Sequence, residues 1–351
     1  MKEIRDIIIE SHARRASDIH FVCGLEIKIR VDGSLESLDD TRLTDEACDA
    51  YARELAGDRF EECSHIGELD MAVTIEGLRL RLNIFRQQKH TSISIRILND
   101  YIPTIEELGF QPDVAKVMAE FPKYKSGIVL VTGETGSGKS TTLAAIIDRV
   151  NHTRCDHIIT LEDPIEYVYT PDKCAINQRE IGTDTASYAD GLRSILREDP
   201  NVILIGEMRD LNTISAALTA AETGHLVLAT LHTNSAADSV DRMISAFPEA
   251  EQKQIRLQVS TCLRAVVSQQ LIPKTGGGRV PACEVMVVNS AIKNLIREGK
   301  TPQIDSFIKM NAREGSITMD DALLGLVNDR VISRETAANY AHDRDAFAGR
   351  R

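Results

Sequence analysis

The chain has 351 residues, of which 42% are hydrophobic and 27% are charged, a composition typical of folded globular domains. Its formal net charge of -12 argues against a protein that tracks along nucleic acid, because such proteins usually carry a basic stripe. The length predicts two or three domains with ample core.

The sequence lacks the features of exported or membrane-spanning chains. Residues 1–6 contain no uninterrupted apolar segment, so we expect no signal peptide. No apolar run approaches about 18 residues, so we expect no direct membrane insertion. The seven cysteines are scattered without a C-x-x-C pair, which predicts reduced thiols in a cytoplasm and no zinc knuckle.

Residues 1–99 predict a small α+β domain with an antiparallel sheet. One helix is expected from Ile4 to about Arg15, and another from about Asp45 to Ala56 with Thr44 as its N-cap. Alternation of apolar and polar residues predicts strands. The strands are expected around 16–21, 27–31, 69–75, 78–82 and 93–97, with turns at Asp32-Gly33 and Glu76-Gly77.

Three arginines lie on the polar side of these predicted strands, namely Arg79, Arg81 and Arg96. A solvated sheet face explains any one of them. A guanidinium surface that contacts phosphate oxygens is the alternative.

Residues 100–111 are predicted to be a linker, in which Pro103 restricts Ile102 to extended geometry. A helix from about Pro112 to Glu120 then opens a core domain over 112–288. Strands and helices alternate in this core, which predicts an α/β fold with a largely parallel sheet and helices on both faces. The strands are expected at 128–131, 158–161, 202–205 and 226–231, and the helices at 188–196 and 213–223.

The residues from 289 to 351 are predicted to be a C-terminal helical region. Its last part, from His342 to Arg351, is highly charged and is expected to be a frayed tail.

The stretch from Gly133 to Ser140 fits the phosphate-binding loop pattern G-x-x-x-x-G-K-[ST]. An apolar strand precedes it and a helix follows it, so nucleotide binding is favoured over an ordinary glycine-rich turn. Lys139 is predicted to reach the β- and γ-phosphates of ATP, and the Ser140 hydroxyl to bind Mg²⁺. The candidate nucleotide-binding residues are Gly133, Thr135, Gly136, Ser137, Gly138, Lys139, Ser140 and Thr141.

Carboxylates follow two of the apolar strands. Glu207 ends the stretch 202–207 in the manner of a Walker B acid, and the preceding Gly206 leaves room for a water-mediated contact with Mg²⁺. Glu162, Asp163 and Glu166 follow the strand at 158–161, where a carboxylate can orient or deprotonate an attacking water. The residue types do not choose among these three acids.

Two histidines bracket the strand at 226–231. His225 and His232 are seven residues apart, so in an extended segment they face opposite sides and cannot form a metal chelate. A phosphate-sensing or subunit-sensing histidine and an ordinary core or rim histidine both fit the pattern. We place His232 among the candidate catalytic residues.

The order of these motifs resembles that of the secretion-superfamily ATPases of the type II/type IV pilus class. Within this class the chain is most similar to the type IV pilus retraction ATPases, because Ala291–Glu298 matches their A-I-R-N-L-I-R-E with one lysine for arginine. Zinc-binding modules with four cysteines, usual in the extension and secretion ATPases, are missing. The matching stretches are 17–20, 133–140, 162–166, 177–180, 196–200, 206–210, 220–225, 230–233 and 291–298.

The resemblance implies a RecA-like P-loop core, a small N-terminal PAS-like domain and C-terminal helices. It also implies a homohexamer that binds ATP between the N-terminal domain of one subunit and the core of another. Glu166 is then the catalytic acid, Glu207 the Walker B acid, and Arg81 and Arg96 the arginines that reach the γ-phosphate.

The expected function is that of a cytoplasmic motor at the inner face of the cytoplasmic membrane. It would act on the pilus machinery and its inner-membrane platform protein to disassemble pili, without a nucleic-acid partner. A pilus-assembly or type II secretion motor is the nearest alternative. A RecA-like nucleic-acid translocase and a nucleotide-dependent module without hydrolysis are further alternatives, opposed by the acidic charge and by the pair Glu166 and Glu207.

Overall fold

The computed structural model describes residues 2–31, 34–61, 67–98 and 101–347. It divides into two compact units, the first formed by Met1–Tyr101 and Pro164–Val168, and the second by Ile102–Asp163 and Tyr169–Arg351. The predicted turn at Asp32-Gly33, the first residue of the predicted linker, Cys63 and the last four residues lie outside the described residues.

In its described residues the first unit has a six-stranded antiparallel sheet and the helices α1 (Ile4–Ala13) and α2 (Asp45–Ala56). The strand order is β3-β2-β1-β6-β5-β4. The predicted helices and antiparallel sheet are confirmed, whereas the PAS-like assignment stays a prediction. The strands are β1 (Asp18–Phe21), β2 (Glu26–Val31), β3 (Ser34–Arg42), β4 (Glu68–Ile75), β5 (Leu78–Gln87) and β6 (His90–Ile97).

Apolar and polar residues alternate along the strands of the first unit, so that every second side chain faces the helices. Leu80, Leu82 and Ile95 are fully buried in its core, while the residues between them face away. The predicted N-cap is confirmed, since the Thr44 side chain accepts a hydrogen bond from the backbone N–H of Ala47. Strand β3 was not predicted because it is an edge strand whose residues are mostly exposed, so it carries no apolar periodicity.

The second unit is built on a seven-stranded sheet with the order β13-β12-β7-β11-β10-β8-β9. All neighbouring pairs are parallel except β12 and β13, so the predicted largely parallel sheet is confirmed. The central strands β7, β10 and β11 are buried at every residue, which explains their continuous apolar sequences. The strands are β7 (Gly127–Thr132), β8 (His157–Glu162), β9 (Ala175–Glu180), β10 (Val202–Ile205), β11 (Leu226–Leu231), β12 (Leu263–Pro273) and β13 (Arg279–Val287).

Helices cover this sheet and continue to the end of the described chain. Two of them are the predicted helices at 188–196 and 213–223, shifted by one or two residues at their ends. The helices are α3 (Pro112–Met118), α4 (Lys139–Thr153), α5 (Tyr188–Ile195), α6 (Leu211–Glu222), α7 (Ala236–Ser245), α8 (Glu249–Cys262), α9 (Ser290–Glu298), α10 (Ile304–Met310), α11 (Met319–Asn328) and α12 (Arg334–Tyr340). Short 3₁₀ helices lie at Gly57–Arg59, Glu106–Leu108, Phe121–Lys123, Thr301–Gln303, Ala312–Glu314 and Arg344–Ala346.

The C-terminal part packs more firmly than the sequence predicted. The backbone N–H groups of His342 and Asp343 donate to the Asp320 carboxylate, at 2.8 and 3.1 Å, and Phe347 is buried. The expectation of a frayed tail is therefore wrong for residues 342–347. The predicted linker at 100–111 and the predicted boundary at 289 stay predictions. Among the described residues, no helix is long and apolar enough to cross a membrane.

Candidate nucleotide-binding site

The second unit gathers the predicted site residues at one edge of its sheet. The phosphate-binding loop follows β7, His232 follows β11, Glu207 follows β10, and Glu162 ends β8. These four strands are parallel neighbours, so their carboxyl ends meet at the same edge. In open α/β sheets this edge is where ligands bind.

The loop has a backbone that only glycine accommodates well. Gly133, Gly136 and Gly138 have φ values of 140°, 82° and 92°, in the left-handed region that side chains disfavour. A Cβ atom on Gly133 would also lie 2.3 Å from the carbonyl oxygen of Gln269. The glycines therefore allow the loop to curl over the N-terminus of α4, where free backbone N–H groups favour an anion.

Lys139 lies inside this loop rather than on its surface. Its Nζ atom donates hydrogen bonds to the carbonyl oxygens of Gly133, at 2.8 Å, and Glu134, at 2.9 Å. The neighbouring Ser140 is exposed at the first turn of α4, as its predicted role requires. Thr135 is exposed and Thr141 is half-buried.

Gln269 on β12 is a loop contact that sequence reasoning missed. Its side-chain Nε2 donates to the carbonyl oxygen of Ser137, at 2.6 Å, and its Oε1 accepts from the Thr142 hydroxyl, at 2.9 Å. The amide thus joins the loop to α4 from a strand far along the chain. No local motif surrounds Gln269, so only the parallel pairing of β12 with β7 reveals it.

Arg209 and His232 both contact the carboxylate of Glu207. The Arg209 Nε atom lies 2.7 Å from its Oε1, and the His232 Nε2 atom lies 3.3 Å from the same oxygen. Burial alone would raise the pKa of Glu207, but the hydrogen bond from Arg209 and the charge of His232 bring it below its ordinary value. Glu207 is therefore an anion held at the end of β10.

Gly206 allows β10 and β8 to approach each other at this point. A Cβ atom on Gly206 would lie 2.9 Å from the Tyr188 hydroxyl oxygen and 3.2 Å from the Leu161 carbonyl oxygen. Burial, with the nearby charges of Asp163 and Glu207, raises the pKa of Tyr188, so its hydroxyl stays neutral. The glycine before the acid is thus required by packing.

The three carboxylates after β8 have different surroundings. Glu162 is buried and accepts hydrogen bonds from Thr160, at 2.7 Å, and Gln178, at 3.2 Å. Asp163 is exposed, and Glu166 is half-buried in the segment 164–168, which belongs to the first unit. Glu162 is therefore committed to holding the strand end, which leaves Asp163 and Glu166 as the less constrained acids.

The two histidines that bracket β11 have separate partners. His232 contacts Glu207, whereas the His225 Nδ1 atom lies 2.8 Å from the Ala220 carbonyl oxygen and 3.1 Å from the Thr223 hydroxyl. His225 thus caps the end of α6, and the two histidines contact different groups.

In the first unit, a row of charged residues crosses the sheet. Arg30, Asp18, Arg96 and Arg81 are successive register partners on β2, β1, β6 and β5, and the row ends at Ala72 on β4. Arg96 and Arg81 are both exposed. The row carries three positive charges and one negative charge, so it presents a surplus of positive charge on the polar face.

Asp18 orients Arg96, its neighbour at the centre of this row. Its carboxylate accepts a hydrogen bond from Arg96 Nε at 2.9 Å and from the Ser17 hydroxyl at 2.8 Å. Burial would raise the pKa of Asp18, but these two hydrogen bonds outweigh it and lower the pKa. The sequence singled out Ser17–His20 only through family resemblance, and the structure shows what its aspartate contacts.

Comparison with known proteins agrees with this architecture. A profile of the family described as type II/IV secretion system protein matches residues 1–303. The chain is 45% identical to the type IV pilus retraction ATPase PilT of Pseudomonas aeruginosa, over 97% of this chain and 98% of that protein. It is also 45% identical to a twitching motility protein of Neisseria gonorrhoeae, over 80% of this chain and 75% of that protein. A crystal structure of the pilus retraction motor PilT with bound ADP superimposes with a TM-score of 0.90, at 43% identity over 99% of both chains.

Proposed function

The chain belongs to the type II/IV secretion system protein family, and we propose that within this family it is an ATP-hydrolysing motor that retracts type IV pili. The proposal rests on the position of the phosphate-binding loop and Glu207 at the same edge of the sheet. The chain around them is similar to PilT over 97% of its length. The resemblance stated from the sequence is thereby confirmed.

Nucleotide binding follows from the loop geometry. The backbone N–H groups of the loop and of the first turn of α4 bind the phosphate oxygens of ATP. Lys139 already lies inside the loop, and the phosphates would replace the carbonyl oxygens of Gly133 and Glu134 as acceptors of its hydrogen bonds. Gln269 keeps the loop in register with α4 during this exchange.

Ser140 and Glu207 fit a magnesium site. A hydroxyl and a carboxylate are the oxygen ligands that Mg²⁺ prefers, and Ser140 is exposed while Glu207 is ionised. Bound Mg²⁺ would neutralise charge on the β- and γ-phosphates. Glu207 would contribute its carboxylate directly or through a water molecule.

Hydrolysis requires a base and compensation of the charge on the γ-phosphate. We assign the base to Glu166, which orients the attacking water and accepts its proton. Arg81 and Arg96 bind the γ-phosphate oxygens from the first unit of a neighbouring subunit in a homohexamer. His232 senses the state of the site through its contact with Glu207.

The motor acts at the inner face of the cytoplasmic membrane on the platform protein of the pilus machinery. An assembly or type II secretion motor is the nearest rival, and its usual four-cysteine module is missing from the sequence. A nucleic-acid translocase is opposed by the net charge of -12.

Deletion of the gene, followed by counting of surface pili, tests the proposal. We expect pili to accumulate, and a plasmid copy with Lys139→Ala to fail to reverse this, although the parental copy succeeds. Loss of pili after deletion would instead show an assembly motor. Stimulation of phosphate release by DNA would favour the translocase, and no turnover of any nucleotide would favour a binding module.

A further inference from the structure

Three side chains with metal-binding atoms meet at one edge of the first unit. None of them has a role in the proposed hydrolysis. Cys23 lies in the turn between β1 and β2, Asp45 begins α2, and His90 begins β6. One sulfur, carboxylate oxygen or ring nitrogen from each lies within 4.8 Å of the other two.

The backbone around these residues is fixed by independent contacts. The N–H of Gly24, next to the cysteine, donates to the carbonyl oxygen of Leu43 at 2.9 Å, which ties the turn to the segment before α2. The Thr91 hydroxyl donates to the Asp49 carboxylate at 2.5 Å, which ties the start of β6 to α2. The fold therefore fixes the backbone positions from which the three side chains converge.

The hydrogen bonding of the pair formed by His90 and Asp45 is incomplete. The Nδ1 atom of His90 and the Oδ1 atom of Asp45 lie 2.9 Å apart, the distance of an ion pair, and both atoms are buried although their side chains are 44% exposed, but the contact lacks the alignment of a hydrogen bond. Buried polar atoms without partners are costly and uncommon. A cation that accepts a lone pair from each of these two atoms would satisfy both of them.

We propose that Cys23, Asp45 and His90 bind a Zn²⁺ ion in the first unit. Thiolate, imidazole and carboxylate are the zinc ligands in proteins, and three of them with a water molecule complete a tetrahedron. Tetrahedral zinc bonds place ligand atoms about 3.3–3.6 Å apart, so side-chain movements of about 1 Å suffice.

The nearby Cys48 does not compete for this role. Cys48 is fully buried in the hydrophobic core of the first unit, whereas the Cys23 sulfur converges with the ligand atoms of Asp45 and His90. Cys23 is therefore the sulfur ligand. The bound ion would join the β1–β2 turn, α2 and the start of β6, the strand that also carries Arg96.

Titration of the nucleotide-free, magnesium-free full chain with Co²⁺ tests the site. Co²⁺ bound to a thiolate gives a charge-transfer absorption that a site without cysteine cannot give. We expect one equivalent to produce this absorption and Zn²⁺ to displace it. Cys23→Ser should abolish the absorption, and His90→Gln should weaken Co²⁺ binding by at least about tenfold.

Matched controls separate this site from chance binding. Cys155→Ser removes an exposed thiol, and His152→Gln removes a histidine whose Nδ1 lies 3.3 Å from the carboxylate of Asp148. Both should leave the absorption unchanged. An absorption that survives Cys23→Ser, that is lost in Cys155→Ser, or that never forms at one equivalent overturns the proposal.

Thermal unfolding of each variant shows whether it is folded. Without metal, the unfolding midpoints of Cys23→Ser and His90→Gln should lie near the parental value. Zn²⁺ should then raise only the parental midpoint, because a ligand stabilises the state that binds it. Equal increases in the parent and in folded Cys23→Ser would place the zinc elsewhere.

Discussion

Arg81 lies directly opposite Arg96 in the antiparallel pair of β5 and β6. Like charges in directly opposed positions destabilise a sheet. Asp18 compensates Arg96 from the other side, but Arg81 faces Ala72 on its second neighbour. The pair is therefore suited to an anion that lies between the two guanidinium groups.

The first prediction is that this pair acts on a neighbouring subunit's nucleotide. Arg81→Ala and Lys139→Ala proteins should each be inactive, since a trans arginine contributes about 10³–10⁵ to turnover. Mixed rings should regain phosphate release, because some sites then combine an intact arginine with an intact loop. Arg42→Ala, in an exposed ion pair on β3, serves as the control and should retain activity. No recovery after proven subunit exchange would exclude action in trans.

The second prediction concerns Asp18 and pH. The pKa of Asp18 is lowered in the folded state, so its stabilising contribution is fully present above its ordinary value of 3.8 and is lost as the pH falls through the lowered value. Asp18→Asn should destabilise the protein by about 1–3 kcal/mol at neutral pH, since charged hydrogen bonds are lost.

Thermal unfolding of parent and Asp18→Asn across the acid range checks this. The difference in stability should be constant from pH 7 to about pH 5 and shrink below about pH 4. Glu26→Gln weakens two solvent-accessible ion pairs, with Lys28 and Arg42, and should cost less than about 1 kcal/mol at any pH. A difference that does not change with pH would mean that the carboxylate charge is not what stabilises this region.

The third prediction separates the three acids after β8. Glu166→Gln should reduce the rate of hydrolysis by about 10²–10⁴ and leave ATP binding largely intact, because the loop is unchanged. Asp163→Asn is the matched control and should hydrolyse ATP near the parental rate. Single-turnover phosphate release together with nucleotide binding measures both quantities. A parental rate in Glu166→Gln would transfer the assignment to Asp163 or Glu162.

The fourth prediction is that Gln269 holds the phosphate-binding loop. Gln269→Ala leaves the Ser137 carbonyl and the Thr142 hydroxyl without their partner, at a cost of about 1–3 kcal/mol. If losing these hydrogen bonds destabilises the ADP-bound state relative to the free protein, the affinity for ADP should drop by about tenfold, as measured by isothermal calorimetry. Gln270→Ala changes the next residue of β12 and should bind ADP as the parent does. Equal affinity in Gln269→Ala would show that the loop keeps its shape without the amide.

The fifth prediction concerns α9, which carries the stretch that distinguishes retraction ATPases. Ile292, Leu295 and Ile296 are buried in the core, while Arg297 is exposed and Lys293 is half-buried. We expect Lys293→Ala with Arg297→Ala to keep the fold, with a change of less than about 0.5 kcal/mol from the exposed Arg297. We hypothesise that α9 transmits movement of the core to the pilus machinery, so ATP hydrolysis should survive while retraction in cells fails and pili accumulate.

The matched control for this double variant is Lys309→Ala with Arg313→Ala, an exposed basic pair with the same spacing. Cells with the control should retract normally. Normal retraction in the Lys293 and Arg297 variant would remove the idea that α9 transmits movement to the pilus machinery.

The sequence alone determined the central strands and the phosphate-binding loop. Val202–Ile205 and Leu226–Leu231 have the predicted bounds because a strand buried on both faces must be apolar throughout, which is a local property. The loop is equally local, since its glycines and Lys139 all lie within residues 133–139. Strands β3 and β9 lie at sheet edges and carry polar residues, so no periodicity revealed them.

Only the tertiary structure decided which distant side chains meet. Gln269 reaches the phosphate-binding loop because β12 pairs with β7, and Asp18 reaches Arg96 because β1 pairs with β6 in one register. Cys23 and His90 approach each other for the same reason. Such contacts depend on strand order and register, which are fixed by the burial of whole sheet faces and not by the residues that make the contact.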